Sequence, residues 1–259
     1  MPERSVDYDA IADRFEWRYR VEPYVELEAF LVDFAGQARV LEVGCGTGRW
    51  LTALAAHGCD VAGIDPSQKM LDVASAQLPE AELVRGRGEA LPWSDGSFDR
   101  VVCINALHHH DDPAASLAEA RRVLVDGGAL LVAGLDPHRR LDAWWIYDFF
   151  EGALDTDLAR YPSAEDIRGW MVDAGFGSVQ TVEVQHIVSR VPVAEARAGG
   201  YLDRAVTSQL SLLSDAEYAA GLRRIEAAGE ELVLVSDLRI WGTVGSGTGM
   251  GTGTGTGTG

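Results

Sequence analysis

The most constraining feature of this sequence is a glycine-rich turn between a strand pattern and a helix pattern. The segment VLEVGCGTGRW occupies residues 40–50, where the apolar strand pattern of residues 38–44 runs into a helix. Gly44, Gly46 and Gly48 allow backbone conformations that other residues avoid, and they leave space for a ligand to approach the main chain. The start of the following helix offers free N–H donors. The turn therefore predicts a ligand site at a strand-to-helix junction.

A carboxylate at the end of the second strand pattern indicates what that ligand contains. Asp65 closes the pattern at residues 59–65, and at this place a carboxylate can accept hydrogen bonds from both hydroxyls of a ribose. Nicotinamide-binding folds have glycines spaced G-x-G-x-x-G for a pyrophosphate, whereas this chain has G-x-G-x-G behind Glu42. That acid would repel a pyrophosphate and suit an ammonium group. The residues indicate an adenosine-type cofactor, with a nicotinamide oxidoreductase as the disfavoured alternative.

Strand and helix patterns continue to alternate along the chain, which predicts parallel strands joined by crossover helices. We expect a helix that begins at Pro66, a helix over residues 113–124 that stops at Gly127 and Gly128, and a helix from 163 to 176 capped by Ser163. Further strands are expected at residues 81–84, 98–105, 129–135, 178–191 and 231–244.

The chain reads as a single domain over residues 1–244, followed by a Gly/Thr repeat at 245–259 that we expect to be disordered. Two mostly helical insertions, at 136–162 and 192–230, interrupt the alternation and suit a cap over the substrate. The first contains an aromatic cluster that fits either core packing or the lining of an apolar pocket, namely Trp144, Trp145, Tyr147, Phe149 and Phe150.

Charge and cysteine content exclude several classes of function. Lys and Arg number 22 against 40 Asp and Glu, a formal net charge of −18, so nucleic acid and anionic membrane surfaces are unexpected partners. Cys45, Cys59 and Cys103 lie in apolar settings without metal-ligand spacing, which favours small buried side chains over zinc. Because no leader pattern or membrane span is found, we expect a cytoplasmic protein.

Five motifs occur in the order found in one enzyme family: EVGCGTG at 42–48, DPSQKML at 65–71, GEALPWSDGSFDRV at 88–101, NALHHHDDP at 105–113 and EARRVLVDGG at 119–128. The chain resembles the class I S-adenosylmethionine-dependent methyltransferases, specifically the small-molecule group called type 11. The resemblance implies an α/β fold, a Rossmann-like doubly wound sheet of seven strands, mostly parallel with an antiparallel last strand. It also implies a cofactor-binding core at 36–135 and N-terminal lid helices at 6–35.

The resemblance further implies which residues contact S-adenosyl-L-methionine. The glycine turn is expected to pack against the methionyl part, with Glu42 and the Asn105 backbone carbonyl near its ammonium, and Asp65 on the ribose. Pro66, Met70 and the loop after the third strand would border the adenine. The full set is Glu42, Gly44, Cys45, Gly46, Gly48, Asp65, Pro66, Met70, Gly88, Glu89, Ala90 and Asn105.

One position departs from the family pattern. Members commonly have an aspartate that accepts from the adenine amino group where this chain has Arg87. A guanidinium has no acceptor. We therefore expect adenine recognition to depend on backbone groups or on Glu89.

Three adjacent histidines follow the fourth strand, where the transferred methyl group should point. Neighbouring loop residues cannot all converge on one ion, so we expect no metal. A histidine near neutrality is a natural general base, and His109 is our first candidate, with His110 next and His108 also possible. At least one of the three has an alternative role in supporting the fold.

Taken together, these features predict an S-adenosylmethionine-dependent methyltransferase acting on an O, N or C atom of a small, apolar or aromatic metabolite. The alternative is a protein that keeps the cofactor fold for binding alone or for a non-methylating rearrangement. Near the N-terminus, Tyr8, Phe15 and Trp17 fit either a lid over the cofactor or an ordinary amphipathic helix.

Overall fold

A computed structural model of the chain describes residues 24–247, whose strands form one mixed sheet. The strands are β1 (Arg39–Val43), β2 (Asp60–Asp65), β3 (Glu82–Arg85), β4 (Phe98–Ile104), β5 (Leu124–Leu135), β6 (Ala143–Trp144), β7 (Phe176–Pro192) and β8 (Val233–Gly247). The order β3-β2-β1-β4-β5 is parallel throughout. Strand β8 is antiparallel to β5 and to β7. The mostly parallel sheet with an antiparallel last strand is confirmed.

The eighth strand, β6, was not expected. It has two residues, Ala143 and Trp144, which pair with Asp237 and Ser236 of β8. Because β7 pairs with β8 along its whole length, β5 and β6 share the other edge of β8. So short a pairing has no periodicity that a sequence could display.

Helices cover both faces of the sheet, as a doubly wound fold requires. They are α1 (Val25–Ala35), α2 (Arg49–Ala56), α3 (Gln68–Gln77), α4 (Pro113–Val123), α5 (Trp145–Phe149), α6 (Ala153–Arg160), α7 (Ala164–Asp173), α8 (Val193–Ala198), α9 (Ser208–Ser211) and α10 (Asp215–Ala227). Leu31 of α1 and Leu51 of α2 belong to one buried cluster, while Leu117 of α4 and Met171 of α7 belong to another. The two clusters are the apolar layers on the opposite faces.

Helix α1, the described part of the expected lid, packs into the core along its buried side. Leu27 and Leu31 are fully buried, and the helix start is capped from a distant strand. Gln185 of β7 accepts hydrogen bonds from the Glu26 and Leu27 N–H groups, and the Glu26 carboxylate accepts from the His186 N–H. The side chain of Tyr24, at the N-cap, makes no capping hydrogen bond. The bonds from β7 therefore satisfy the N–H groups at the helix start. The rest of the expected lid, including Tyr8, Phe15 and Trp17, lies outside the described residues.

Two helix boundaries differ from expectation. Helix α3 begins after Ser67, whose hydroxyl accepts from the Met70 N–H, so Pro66 precedes the helix instead of opening it. Helix α4 ends at Val123, and Gly127 and Gly128 fall inside β5, where the pairing with β4 is irregular. A glycine pair looks the same in a helix stop and in a strand irregularity, because both need unusual backbone angles. The N-cap of α7 is as expected, with Ser163 and Asp166 forming a capping box.

The last strand is longer than expected and contradicts a domain end at Val244. Gly245 pairs with Leu130 of β5 and Val179 of β7, and Ser246 pairs with Ala129 and Ser178. Gly247 pairs with Phe176. Two neighbouring strands therefore order the first three residues of the Gly-rich segment, although their side chains have no β preference. The remainder of the expected tail, residues 248–259, lies outside the described residues.

Truncation tests this pairing. We expect a chain ending at Val244 to be less stable than a chain ending at Gly247, by about 2 kcal/mol for the lost backbone hydrogen bonds. In a chain of this size that corresponds to a melting temperature lower by roughly 5 °C. Calorimetry on the two truncated chains measures the difference, and equal melting temperatures would contradict the ordered end of β8.

Candidate functional site

The glycine turn leaves the end of β1 in the backbone conformation that its sequence predicts. Gly44, Gly46 and Gly48 have φ values of 76°, 52° and 82°, in the left-handed region. A Cβ added at Gly44 would lie 2.5 Å from the Cβ of Ala106, just beyond the end of β4. The turn is therefore packed against the loop after β4, and only glycine combines this backbone angle with so close an approach.

Asp65, at the end of β2, holds the turn in place. One of its oxygens accepts a hydrogen bond of 2.9 Å from the Gly46 N–H, and the other accepts one of 2.9 Å from the Ser67 N–H. The side chain is largely covered, with 9% of the residue exposed. The sequence predicts a carboxylate that faces a ligand at this place. In the structure the same carboxylate also holds the glycine turn and the start of α3 through its two hydrogen bonds.

Two polar side chains at the ends of β1 and β4 keep buried atoms without hydrogen-bond partners. Glu42 is 1% exposed, and its Oε2 has no partner within residues 24–247. Burial, and then the charge of Asp65, raises the pKa of Glu42 well above its ordinary value. Within the same residues the Nδ2 of Asn105 has no partner, and Asn105 has a left-handed φ of 52°. Unsatisfied buried polar atoms are rare, and these two, an acceptor on Glu42 and a donor on Asn105, fit a ligand that carries both kinds of group.

Three other expected contact residues differ in how much of them a ligand could reach. Cys45 is buried, and burial followed by the charges of Glu42 and Asp65 raises the pKa of its thiol. Its sulfur lies 2.8 Å from the position of a Cβ added at Gly63, so the side chain belongs to the core. Met70 is 1% exposed, whereas Pro66 is exposed.

The loop after β3 carries Gly88, Glu89 and Ala90. The Ala90 N–H donates to the Arg87 carbonyl, which closes a tight turn. A Cβ at Gly88 would lie 2.7 Å from His110 Cε1 and 2.9 Å from Val43 Cγ1. The loop therefore touches both the end of β1 and the histidine segment. Its expected place beside the adenine stays a prediction.

Glu89 and Arg87 both interact with the loop after β4. The Glu89 carboxylate accepts from the Asp111 and Asp112 N–H groups at 2.9 and 3.3 Å, and the Arg87 guanidinium lies 2.5 Å from the Asp111 carboxylate. Partial burial acts to raise the pKa of Glu89, but backbone hydrogen bonds and His110 lower it below its ordinary value. Binding of adenine by Glu89 would therefore compete with these contacts inside the protein. No local sequence signal indicated the contacts.

The three histidines have different environments. His110 Nδ1 lies 2.8 Å from the Ser116 hydroxyl, and burial lowers the pKa of its ring below the ordinary value. His108 stacks on Tyr161 with ring centroids 3.9 Å apart, and His109 lies 3.9 Å from His108. His110 is thus tied to α4, and His108 to the segment after α6. The described residues hold no group of three or more potential metal ligands.

The insertions meet in a buried polar network that the sequence analysis missed. Asp157 of α6 is fully buried, and its carboxylate accepts from the Tyr147 hydroxyl, the Arg160 guanidinium and the Gln209 amide. The same amide lies 3.3 Å from the hydroxyl of Tyr161, the residue that stacks on His108. Partners as far apart in the chain as Asp157 and Gln209 leave no periodic pattern.

The aromatic cluster resolves in favour of core packing for its largest members. Trp144, Trp145 and Phe150 are buried within the core on the α1 face. Phe150 packs edge-on to Trp145 and stacks with Tyr218 of α10, so it joins the two insertions. A cavity of about 30 Å³ lies beneath the histidine segment, lined by His108, Tyr161 and mostly apolar neighbours, but it is too small for a metabolite.

The fold is that of the class I S-adenosylmethionine-dependent methyltransferases. A family model described as "Methyltransferase domain" matches residues 41–132. The phthiotriol/phenolphthiotriol dimycocerosates methyltransferase 1 of Mycobacterium ulcerans is 32% identical over 232 residues, which is 80% of either chain. This chain belongs to that methyltransferase family. The expected family membership is confirmed over the nicotinamide alternative.

Other relatives align over shorter stretches. An uncharacterized methyltransferase of Mycobacterium tuberculosis is 43% identical over 96 residues, 37% of this chain and 39% of its own length. The demethylmenaquinone methyltransferase of Renibacterium salmoninarum is 40% identical over 159 residues, 54% of this chain and 67% of its own. The alignment thus spans about two-fifths of the first of these relatives.

Solved structures support the fold. A putative methyltransferase from an antibiotic biosynthesis pathway of Anabaena variabilis has a TM-score of 0.66 and 22% identity, covering 85% of this chain and 96% of its own. A phosphoethanolamine N-methyltransferase 2 of Haemonchus contortus, solved in complex with S-adenosyl-L-methionine, has a TM-score of 0.59 and 16% identity. It covers 95% of this chain and 61% of its own.

Among residues 24–247, the helices are too short or too polar to span a membrane.

Proposed function

We propose that this methyltransferase acts on an O, N or C atom of a small apolar or aromatic metabolite. The observation that carries the cofactor part is the pair of unsatisfied buried atoms, on Glu42 and Asn105, beside the left-handed glycine turn. An ammonium group would supply the donors that the Glu42 carboxylate lacks. The acceptor class rests on the relatives named for phthiotriol and demethylmenaquinone substrates, a lipid and a quinone.

The residues divide the cofactor into three parts under this proposal. Glu42 and the backbone carbonyl of Asn105 accept from the ammonium group, and the backbone from Gly44 to Gly48, with Cys45 contributing only main-chain atoms, borders the methionyl chain. Asp65 already accepts hydrogen bonds from two backbone N–H groups, and it accepts further ones from the ribose hydroxyls. Pro66, Met70 and the loop of Gly88, Glu89 and Ala90 surround the adenine.

The catalytic task of the protein is then mostly positioning. Bound S-adenosylmethionine supplies a methyl group on a sulfonium, which is a good leaving group. The chain's residues orient the acceptor in line with that methyl group and keep water out, and this placement supplies most of the rate. His109 receives a proton where the acceptor begins protonated, with His110 as a weaker candidate because Ser116 already binds its ring.

Glu42→Gln tests the ammonium assignment. The amide keeps the shape but removes the charge, so we expect the affinity for S-adenosylhomocysteine to fall by roughly 1.5–3 kcal/mol, about 10- to 150-fold in Kd. The affinity for 5′-methylthioadenosine, which lacks the amino-acid part, should stay unchanged. The melting temperature should not fall, because burial already disfavours the charged form of Glu42. Calorimetric titration with both ligands gives the comparison.

Asp65→Ala and Asp60→Ala are the controls, one at each end of β2. Both ligands contain the ribose, so Asp65→Ala should weaken both, whereas the exposed Asp60 should affect neither. Equal weakening of the two ligands by Glu42→Gln would show that Glu42 acts through the turn and would remove the ammonium assignment.

Acceptor class is tested with the purified full chain and isotope-labelled S-adenosylmethionine. We expect labelled product and S-adenosylhomocysteine with a demethylated naphthoquinol or a long-chain phenol, followed by mass spectrometry, and none with free amino acids or nucleosides. Methylation of the polar acceptors alone would overturn the apolar assignment. Binding of the cofactor without S-adenosylhomocysteine release from any acceptor would favour the non-methylating alternative.

His109→Asn tests the base with an acceptor found in that assay. We expect turnover to fall about 10²- to 10⁴-fold, since a positioned base typically contributes this much. Cofactor affinity and melting temperature should stay near those of the wild type, and higher pH should restore part of the rate if the acceptor ionises alone. His57→Asn, on an exposed histidine away from the site, is the control. Retained turnover per folded molecule would place the base elsewhere.

A further inference from the structure

Glu89 connects two loops that are far apart in the chain. Its Oε1 accepts from the Asp111 N–H at 2.9 Å and from the Asp112 N–H at 3.3 Å, across 22 and 23 residues of sequence. The loop on one side carries Gly88 and follows β3, whereas the loop on the other side begins directly after the three histidines. The carboxylate is therefore a bridge between the expected adenine loop and the histidine segment.

Neighbouring contacts join the same two loops further. We call the joined loops, residues 88–90 and 108–112, the wall. His110 lies against Gly88, where a Cβ would approach its Cε1 to 2.7 Å, and the ring's Nδ1 lies 2.8 Å from the Ser116 hydroxyl. Asp112 caps α4 by accepting from the Ala115 N–H. The Glu89 bridge thus fixes the point at which the chain leaves His109 and enters α4.

Contacts inside the protein occupy one oxygen of the carboxylate and pair the other with a charge. Its Oε1 serves two N–H groups, and its Oε2 lies 3.7 Å from the Arg87 Nε. Arg87 is in turn paired with Asp111, on the loop that Glu89 holds. Both charged side chains of the adenine loop are therefore directed at the loop after β4.

We propose that Glu89 is a positioning residue, which holds the histidine segment against the adenine loop through the Asp111 and Asp112 N–H groups and does not bind the adenine amino group. The inference rests on the proposed function, because that proposal assigns both loops to the cofactor site. It accounts for how the chain tolerates Arg87 where the family has an acceptor. The wall is built by contacts within the protein, and recognition of the base passes to backbone groups.

The first experiment measures how far Glu89 protects the Asp111 and Asp112 amides from hydrogen exchange, without any ligand. In the full chain, residue-resolved hydrogen exchange should show the Asp111 and Asp112 amides exchanging at least tenfold faster in Glu89→Ala than in the wild type. Glu89→Gln keeps an acceptor oxygen and should retain most of the protection. Glu80→Ala, at an exposed position just before β3, is the matched control and should change nothing. Unchanged exchange of both amides in Glu89→Ala would overturn the proposal.

The second experiment separates positioning from contact with the base. S-adenosylhomocysteine and S-inosylhomocysteine differ at the adenine amino group, so a residue that binds this group affects only the first. We expect Glu89→Ala to weaken both ligands by the same factor, about three- to tenfold, and Glu89→Gln to weaken neither by more than twofold. A loss confined to S-adenosylhomocysteine would overturn the proposal and return Glu89 to direct adenine binding.

A third variant covers a folding failure of Glu89→Ala. Glu89→Met keeps the length of the side chain without an acceptor, and it should reproduce the fast exchange and the equal loss of both ligands. Normal protection and normal affinity in Glu89→Met would equally overturn the proposal. Failure of the proposed function would differ from all of these outcomes, because the wild type would then bind neither homocysteine ligand while its exchange pattern still depended on Glu89.

Discussion

The left-handed glycine turn after β1, held by Asp65, is the constraint on which the site depends. Its backbone angles are ones that residues with a Cβ rarely adopt, and its contact with Ala106 brings the ends of β1 and β4 together. The Asp65 carboxylate joins this turn to the start of α3 through two backbone N–H groups. Each neighbouring strand end is thereby placed within reach of one small ligand, as expected at the carboxyl edge of a parallel sheet.

Electrostatics make the same turn costly in the absence of a ligand. Glu42 and Asp65 are both buried, and burial, followed by the charge of Asp65, raises the pKa of Glu42 well above its ordinary value. A buried carboxylate with an unsatisfied oxygen lowers stability unless a cation or donor compensates it. Under the proposed function, a bound ammonium group would offset this cost. This is the usual exchange of stability for function at a site.

The cap is joined to the site by polar contacts as well as by apolar burial. The Asp157 carboxylate accepts hydrogen bonds from side chains of both insertions. Tyr161 contacts the Gln209 amide of this network and stacks on the His108 ring. Such a buried charge is tolerated because Arg160 and several hydrogen bonds satisfy it. On the other side, Glu89 fixes the far end of the histidine segment. The histidine segment is thus held from the insertions and from the loop after β3.

The sequence by itself determined the features that depend on neighbouring residues. Strand and helix periods, the glycine turn, the Ser163 capping box and the motif order predicted the sheet, its helices and the family, because these signals repeat over a few residues. Tertiary structure decided what depends on distant pairing. It added β6, ordered Gly245 to Gly247 beside two strands, made α1 a core helix through Gln185, and gave Glu89 and Asp157 their partners. Hydrogen bonds between residues many positions apart carry no period, so only the folded chain defines them.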